Sequence, residues 1–419
     1  MNLTAIALRR LAPRSGLCAG RGLTGRRRRI QLPSPIVGST TGTTAAAPPA
    51  VMSAAFHVSS TERVRAESMA SERRRLPRVA SANDLIVREA RDDLMGIVLE
   101  TKFGEPALAE ALKALRGALE YNLPGGKRSR LLAVVQTYEL LADEAAPQLH
   151  LACLVGWCVE LLQCYFLILD DIMDGSTMRR AHPCWYTRPD VGLRAINDAL
   201  FLDKALGWVL RQRLRSLPCY LPLLELFHEG DLRTVLGQEM DMVAAAPDSK
   251  CKPTIDLYWA TVTFKTAFYS FALPIRAGML LAGVEDSSLH EQAQEAALAL
   301  GRIFQVRDDY IDCFGSVEEI GKVGTDIVDR KYSWLLVTAL QVASPKQAET
   351  ILAHVGRGAP GGADEAAVKA VYRELDLPGH YAAYRERALR DLDAQINRLP
   401  PNLADVLRLQ RDALLKLDS

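Results

Sequence analysis

Two five-residue stretches, Asp170-Asp171-Ile172-Met173-Asp174 and Asp308-Asp309-Tyr310-Ile311-Asp312, concentrate carboxylates at a spacing suited to metal-ion chemistry. Helical positions i and i+4 share a face, so Asp170 lies beside Asp174 and Asp308 beside Asp312. Carboxylates packed this way repel unless cations neutralise them. All-oxygen ligation suits Mg²⁺, which takes a few carboxylates together with phosphate oxygens and water. The candidate ligands are therefore Asp170, Asp171, Asp174, Asp308, Asp309 and Asp312. A lone acidic stretch is more often a solvated helix face. Here each one closes an apolar run, residues 164–169 and 301–306, and each is followed by cations, Arg179-Arg180 and then Lys322 and Lys331. That mixture of signs points to one shared polyphosphate site.

Such side chains need long, regular supports. From about Ser81 onward, Leu, Ala and Val recur at spacings of three and four, with little strand-like alternation. Pro and Gly interrupt the pattern at residues 123–126, Pro183, Leu217-Pro218, Ala246-Pro247, residues 315–324, residues 359–362 and Leu399-Pro400-Pro401. The expected fold is all-α, a single bundle of about ten helices spanning residues 76–419. Residues 151–169 are apolar over nearly the length of a bilayer, yet they contain Glu160 and Gln163 and run straight into Asp170 and Asp171. A helix apolar nearly all round suits the centre of a bundle, so no transmembrane segment is expected.

With 49% hydrophobic residues in 419, the chain has ample material for a large core. Its net charge of +1 hides an asymmetry: residues 1–60 contain no Asp or Glu, yet carry Arg9, Arg10, Arg14, Arg21 and Arg26-Arg27-Arg28-Arg29. This acid-free opening, rich in Ser, Thr, Ala and Pro, has the composition of an organelle-targeting segment, and residues 1–75 are expected to be a disordered mitochondrial presequence. Initiation at Met52 or Met69 would remove the Arg run and give a cytosolic form. A basic arm touching nucleic acid or anionic membrane is the competing reading of the same composition. The presequence reading calls for no nucleic-acid partner. Eight scattered cysteines form no CxxC pair, which argues against a zinc site, a redox dithiol and a secreted disulfide scaffold. Without an HExxH motif among seven histidines, metal chemistry must rest on oxygen ligands.

Several stretches together resemble the farnesyl diphosphate synthases of the short-chain trans-isoprenyl diphosphate synthase family. Leu161-Leu162-Gln163-Cys164-Tyr165-Phe166, residues 170–174, Arg179-Arg180 and Cys184-Trp185-Tyr186 are similar to the family's first aspartate-rich region. Phe304-Gln305-Val306-Arg307, residues 308–312, residues 321–326 and residues 329–334 are similar to the second. Gly125-Gly126-Lys127 with Arg130, Gly237-Gln238 with Asp241, and residues 264–271 also match. Ser129 departs from the usual Asn, and residues 414–419 end in Asp-Ser where the family often has a basic tail.

The resemblance implies an isoprenoid-synthase fold around a central apolar cavity, a homodimer, and head-to-tail condensation of isopentenyl diphosphate with dimethylallyl and geranyl diphosphate to farnesyl diphosphate. A geranyl diphosphate synthase, a related terpene synthase or lyase, and a non-catalytic partner subunit are the alternatives. Asp170, Asp174 and Asp308 would hold three Mg²⁺ ions on the allylic diphosphate, with Arg179, Lys265, Lys322 and Lys331 gripping it. Isopentenyl diphosphate would bind without metal at Gly126, Lys127, Arg130, Gln163 and Arg180. Lys265, Thr266, Gln305 and Arg179 would be the catalytic groups, with Thr266 and Gln305 facing the allylic cation. Tyr165 and Phe166, five and four residues before Asp170, would floor the cavity and limit the product to fifteen carbons, or to ten.

Overall fold

A computed structural model describes residues 79, 81, 84–100, 105–142, 148–316 and 324–416. The expected presequence lies outside the described residues, as do Lys322 and residues 417–419 of the C-terminus. The helices, in order, are α1 (Leu85–Leu99), α2 (Ala109–Asn122), α3 (Ser129–Leu141), α4 (Leu149–Met173), α5 (Arg194–Leu214), α6 (Tyr220–Ala245), α7 (Ile255–Val262), α8 (Leu273–Leu281), α9 (Ser287–Phe314), α10 (Trp334–Val342), α11 (Pro345–His354), α12 (Ala363–Glu374), α13 (Leu377–Ile396) and α14 (Pro401–Leu415). A π-helical stretch, Thr263–Ala272, joins α7 to α8 as one rod.

The described residues thus hold fourteen α-helices where about ten were expected. Pro and Gly breaks cut the C-terminal third into short pieces, several of them capped by their own side chains. Ser333 accepts from the Leu336 N–H, Ser344 and Gln347 form a reciprocal capping box, and Asp376 accepts from the Gly379 N–H. One feature escaped the helical reading: a two-residue antiparallel ladder, β1 (Met178–Arg179) with β2 (His182–Pro183), turns the chain after α4.

The apolar stretch that forms α4 is long enough to cross a membrane, but 83% of its most apolar window is buried inside the protein. Its neighbours explain why. Helices α1, α3 and α5 pack along it, and with α8, α9 and α14 they share one large apolar core. A second core gathers α7, α10 and α12 around Trp334, Leu335, Val337 and Tyr372.

On its other side α4 makes no broad packing contact with α6, the π-helical stretch or α9, and it meets the far wall chiefly at α8. The gap between their backbones is bridged by side chains, Phe166 meeting Tyr269 at 5.4 Å between ring centres. The far wall itself is drawn tight by glycines. A Cβ on Gly237 of α6 would lie 2.1 Å from the Lys265 backbone nitrogen, and one on Gly301 of α9 would lie 2.4 Å from the Ala267 Cβ. Overpacking of that kind typically costs about 1–3 kcal/mol, so both helices close on the π-helical stretch only because these positions lack a side chain.

Candidate active site

The mouth of the central space is built where α4 ends. Asp170 lies between two cations, Arg179 at 3.2 Å and Lys265 at 3.6 Å. The Lys265 ammonium also pairs with Asp241 of α6 at 2.5 Å. Burial opposes the charge on Lys265, but Asp241 and Asp170 outweigh it and raise its pKa. Lys265 sits on the π-helical stretch, a distortion often found at functional sites.

The second acidic stretch reaches the same mouth through Lys331, which is 3.2 Å from Asp326 and 3.6 Å from Asp309. Burial opposes its charge too, yet Asp326, Asp309, Asp308 and Asp241 hold its pKa well above the ordinary lysine value. Asp174 feels the charges of both Lys265 and Lys331. The two aspartate-rich stretches therefore share one electrostatic site.

Within each stretch the six candidate metal ligands differ in their surroundings. Asp171 is buried and accepts from Arg179 Nε at 2.8 Å and Nη2 at 2.6 Å. Asp309 is buried and accepts from the Trp334 N–H at 2.8 Å and the Gln305 amide at 3.0 Å. Asp312 accepts from the Asp326 N–H at 3.0 Å and thereby holds the returning loop, where a Cβ on Gly324 would meet the Asp312 carbonyl. Asp170, Asp174 and Asp308 keep more open faces. For Asp171 and Asp309 the physical reason is helical phase, since adjacent residues point about 100° apart and the neighbour of a gap-facing residue faces the core; Asp312 shares the face of Asp308 and is engaged instead by the returning loop.

Asp174 stands at the mouth, exposed on its water side. Desolvation by the surrounding protein and then the charge of Asp170 push its carboxyl up to about 6, a shift that water at the mouth tempers.

A separate basic cluster lies beside the acidic one. Arg130 donates to the Ser270 hydroxyl at 2.7 Å and stands over the Tyr269 ring at 5.0 Å. Arg180, held in a left-handed backbone conformation, packs its guanidinium against Gly126, where a Cβ would lie 3.3 Å away. Burial lowers the Arg180 pKa, and the nearby charges of Arg128 and Arg130 add to that. Lys127 is exposed next to Gly126. Gln163 is buried, and its side-chain oxygen has no hydrogen-bond partner. Behind them Arg128 forms a buried ion pair with Glu160 at 3.2 Å and stacks over Trp157 at 5.1 Å. Glu160 also accepts from the Leu131 N–H, so the start of α3 is tied to α4. Three arginines around a carboxylate leave a cationic surplus that suits an anion bound without metal.

Below the mouth, aromatic rings cross from α4 to the far wall. Phe166 lies 5.4 Å from Tyr269 and 4.2 Å from Tyr165, ring centre to ring centre. The buried Tyr165 hydroxyl donates to Asp231 of α6. Thr266 is half-buried on the π-helical stretch, one residue from Lys265.

The polyprenyl synthetase family model matches residues 112–375, which span both acidic stretches and the basic cluster. The chain belongs to the polyprenyl synthetase family. It is 42% identical over 320 residues to the farnesyl pyrophosphate synthase of Rattus norvegicus, covering 74% of this chain and 90% of that one. The farnesyl pyrophosphate synthase of Saccharomyces cerevisiae is 42% identical over 300 residues, covering 69% and 85%. The structure is similar to that of T. brucei farnesyl diphosphate synthase complexed with risedronate, with a TM-score of 0.71 and 32% identity over 78% of this chain and 97% of that one.

For a polyprenyl synthetase the site adds residues the sequence reading left without a role. Asp241 and Asp326 complete the lysine pairings, and Asp231 anchors Tyr165. The motif Gly237-Gln238 with Asp241 carried a signal for the first; nothing in the local sequence marks Asp231. Among the described residues no three His, Cys, Asp or Glu side chains enclose an ion by themselves. Sparse carboxylates of this kind fit Mg²⁺, which keeps water and phosphate oxygens as ligands.

The Asp174 shift sets a sign. Its folded pKa of about 6 lies above the ordinary 3.8, so its stabilising contribution is full below about pH 4 and is lost as pH rises through 6. Without metal, the melting temperature of the wild type should fall further between pH 5 and pH 7.5 than that of Asp174→Asn. Added Mg²⁺ should raise it more at pH 7.5 than at pH 5. Calorimetric scans of both proteins at both pH values check this.

Proposed function

We propose that this chain is a farnesyl diphosphate synthase, a prenyl transferase that joins isopentenyl diphosphate to dimethylallyl and then geranyl diphosphate. The observation that carries the reading is the meeting of both acidic stretches at Lys265 and Lys331, beside a separate arginine cluster. One diphosphate must leave and the other must stay, and two differently charged sites serve those two ends.

Asp170, Asp174 and Asp308 would hold Mg²⁺, three ions in the fullest reading, through the allylic diphosphate. Mg²⁺ held there would neutralise the carboxylates and draw charge from the departing diphosphate. Lys265 and Arg179, already at Asp170, are placed to receive that diphosphate as the allylic C–O bond breaks and its electron pair moves to oxygen. Lys331 and, outside the described residues, Lys322 complete the grip. Gly126, Lys127, Arg130, Gln163 and Arg180 hold isopentenyl diphosphate, whose alkene supplies the electrons for the new C–C bond. Gln163 would meet this anion through its amide nitrogen, the donor end of the side chain, since its buried oxygen can only accept. Thr266 and Gln305 present oxygens to the cationic carbon, while the apolar walls exclude water. The released diphosphate takes the final proton.

The assembly we propose is a homodimer. Helix α6 exposes Leu221, Leu232, Val235, Leu236, Met242 and Val243 at helical spacing, and the start of α5 exposes Ile196 and Leu200, with Leu193 just before it. An apolar stripe that long is the kind of surface a symmetric partner covers. Light scattering should give twice the chain mass for the wild type, and Leu232→Glu should shift it toward the monomer.

We also propose mitochondrial import directed by residues 1–75. The acid-free Arg run supports this, and a cytosolic form would start at Met52 or Met69. A full-length fusion should enter mitochondria, whereas one beginning at Met52 should stay outside.

Incubation with isopentenyl and geranyl diphosphates and Mg²⁺ should yield farnesyl diphosphate. Asp170→Ala and Asp308→Ala should each lower kcat by roughly two or more orders of magnitude. Turnover close to wild type in either variant rejects the ligand assignment. Terpene release from geranyl diphosphate alone would favour a lyase.

A further inference from the structure

The central space is crossed at two levels, and three helices give the same order. At the mouth stand Asp170 of α4, Lys265 of the π-helical stretch and Asp241 of α6. Deeper stand Tyr165 and Phe166 of α4, Tyr269 of the π-helical stretch and Asp231 of α6. At about 1.5 Å per residue, the deeper crossing lies about 7.5 Å from the mouth along α4 and about 15 Å along α6. Since α4 and α6 do not pack broadly on each other, the hydrogen bond from Tyr165 to Asp231 bridges two helices whose backbones stand apart.

We propose that Asp231 is a specificity-determining residue, which pins Tyr165 across the cavity and so sets the length at which the growing prenyl chain stops. The inference rests on the synthase reading above. Ring bulk alone blocks a chain only while the ring stays in place. Tyr165 is held on one side by Phe166 at 4.2 Å and on the other by the Asp231 carboxylate, and the second tether fixes the direction of its long axis. The surroundings keep Asp231 poised for this contact. Burial and the charge of Asp203 raise its pKa, while the Tyr165 hydroxyl, Lys204 and His228 act in the other direction. The residue is half-buried on α6, one position before the exposed Leu232, so it faces inward where its neighbour faces out.

The test reads product length. Wild type, Asp231→Ala, Asp231→Asn and Tyr165→Phe are each incubated with geranyl diphosphate, excess isopentenyl diphosphate and Mg²⁺, and products are resolved by chain length. Asp231→Ala should raise the ratio of twenty-carbon to fifteen-carbon product about tenfold, a ratio that loss of one hydrogen bond to a charged acceptor can supply. Tyr165→Phe, which removes only the hydroxyl and keeps the ring, should move the ratio the same way even if Asp231→Ala folds poorly. Asp231→Asn, whose carbonyl still accepts the phenol, should keep the wild-type spectrum. An unchanged ratio in Tyr165→Phe and in folded Asp231→Ala overturns the inference and leaves the synthase reading standing. Failure of the wild type to extend geranyl diphosphate overturns the synthase reading and this inference together.

Discussion

The structure depends on forcing carboxylates together and compensating them with lysines. A unit-charge pair at about 4 Å is worth roughly 4 kcal/mol at the effective dielectric of a protein near its surface, and a like-charged pair costs a similar amount. Asp170, Asp174, Asp241, Asp308, Asp309 and Asp326 would scatter if nothing opposed that repulsion. Lys265 and Lys331 oppose it from inside the protein, each shared between carboxylates of different elements. Each lysine serves two acids, Asp170 with Asp241 and Asp309 with Asp326, while Asp174 and Asp308 stay unpaired by either.

That requirement reaches well into the fold. Lys265 reaches both Asp170 and Asp241 only if α6 presses directly on the π-helical stretch, and Gly237 permits it. Gly301 lets α9 press on the same stretch from its other side. Close contact on one flank and standoff from α4 on the other give the cavity its wall and its width. Burying α4 in helices α1, α3 and α5 then keeps the first acidic stretch in place against its own charge.

Helix α6 carries three functions on different faces. Gly237 seats it on the catalytic rod, Asp231 and Asp241 point toward the cavity, and an apolar stripe from Leu221 to Val243 faces outward.

The sequence by itself determined the helical class, the apolar axis at residues 151–169, the breaks, and the two acidic stretches with their downstream cations. Local spacing encodes all of these: helical periodicity, Pro and Gly punctuation, and the i to i+4 repeat are properties of neighbours along the chain. It also singled out Gln163 and Arg180 as candidates, through resemblance. Only the tertiary structure decided which carboxylates face the gap. Asp171, Asp309 and Asp312 match the motif as well as Asp170 does, but helical phase and packing turn them to Arg179, Trp334 and the residue 326 backbone. Asp231 was hidden for the same reason. Its partner Tyr165 is 66 residues away, and a contact across a cavity leaves no periodicity behind, because it depends on how two helices stand apart in space.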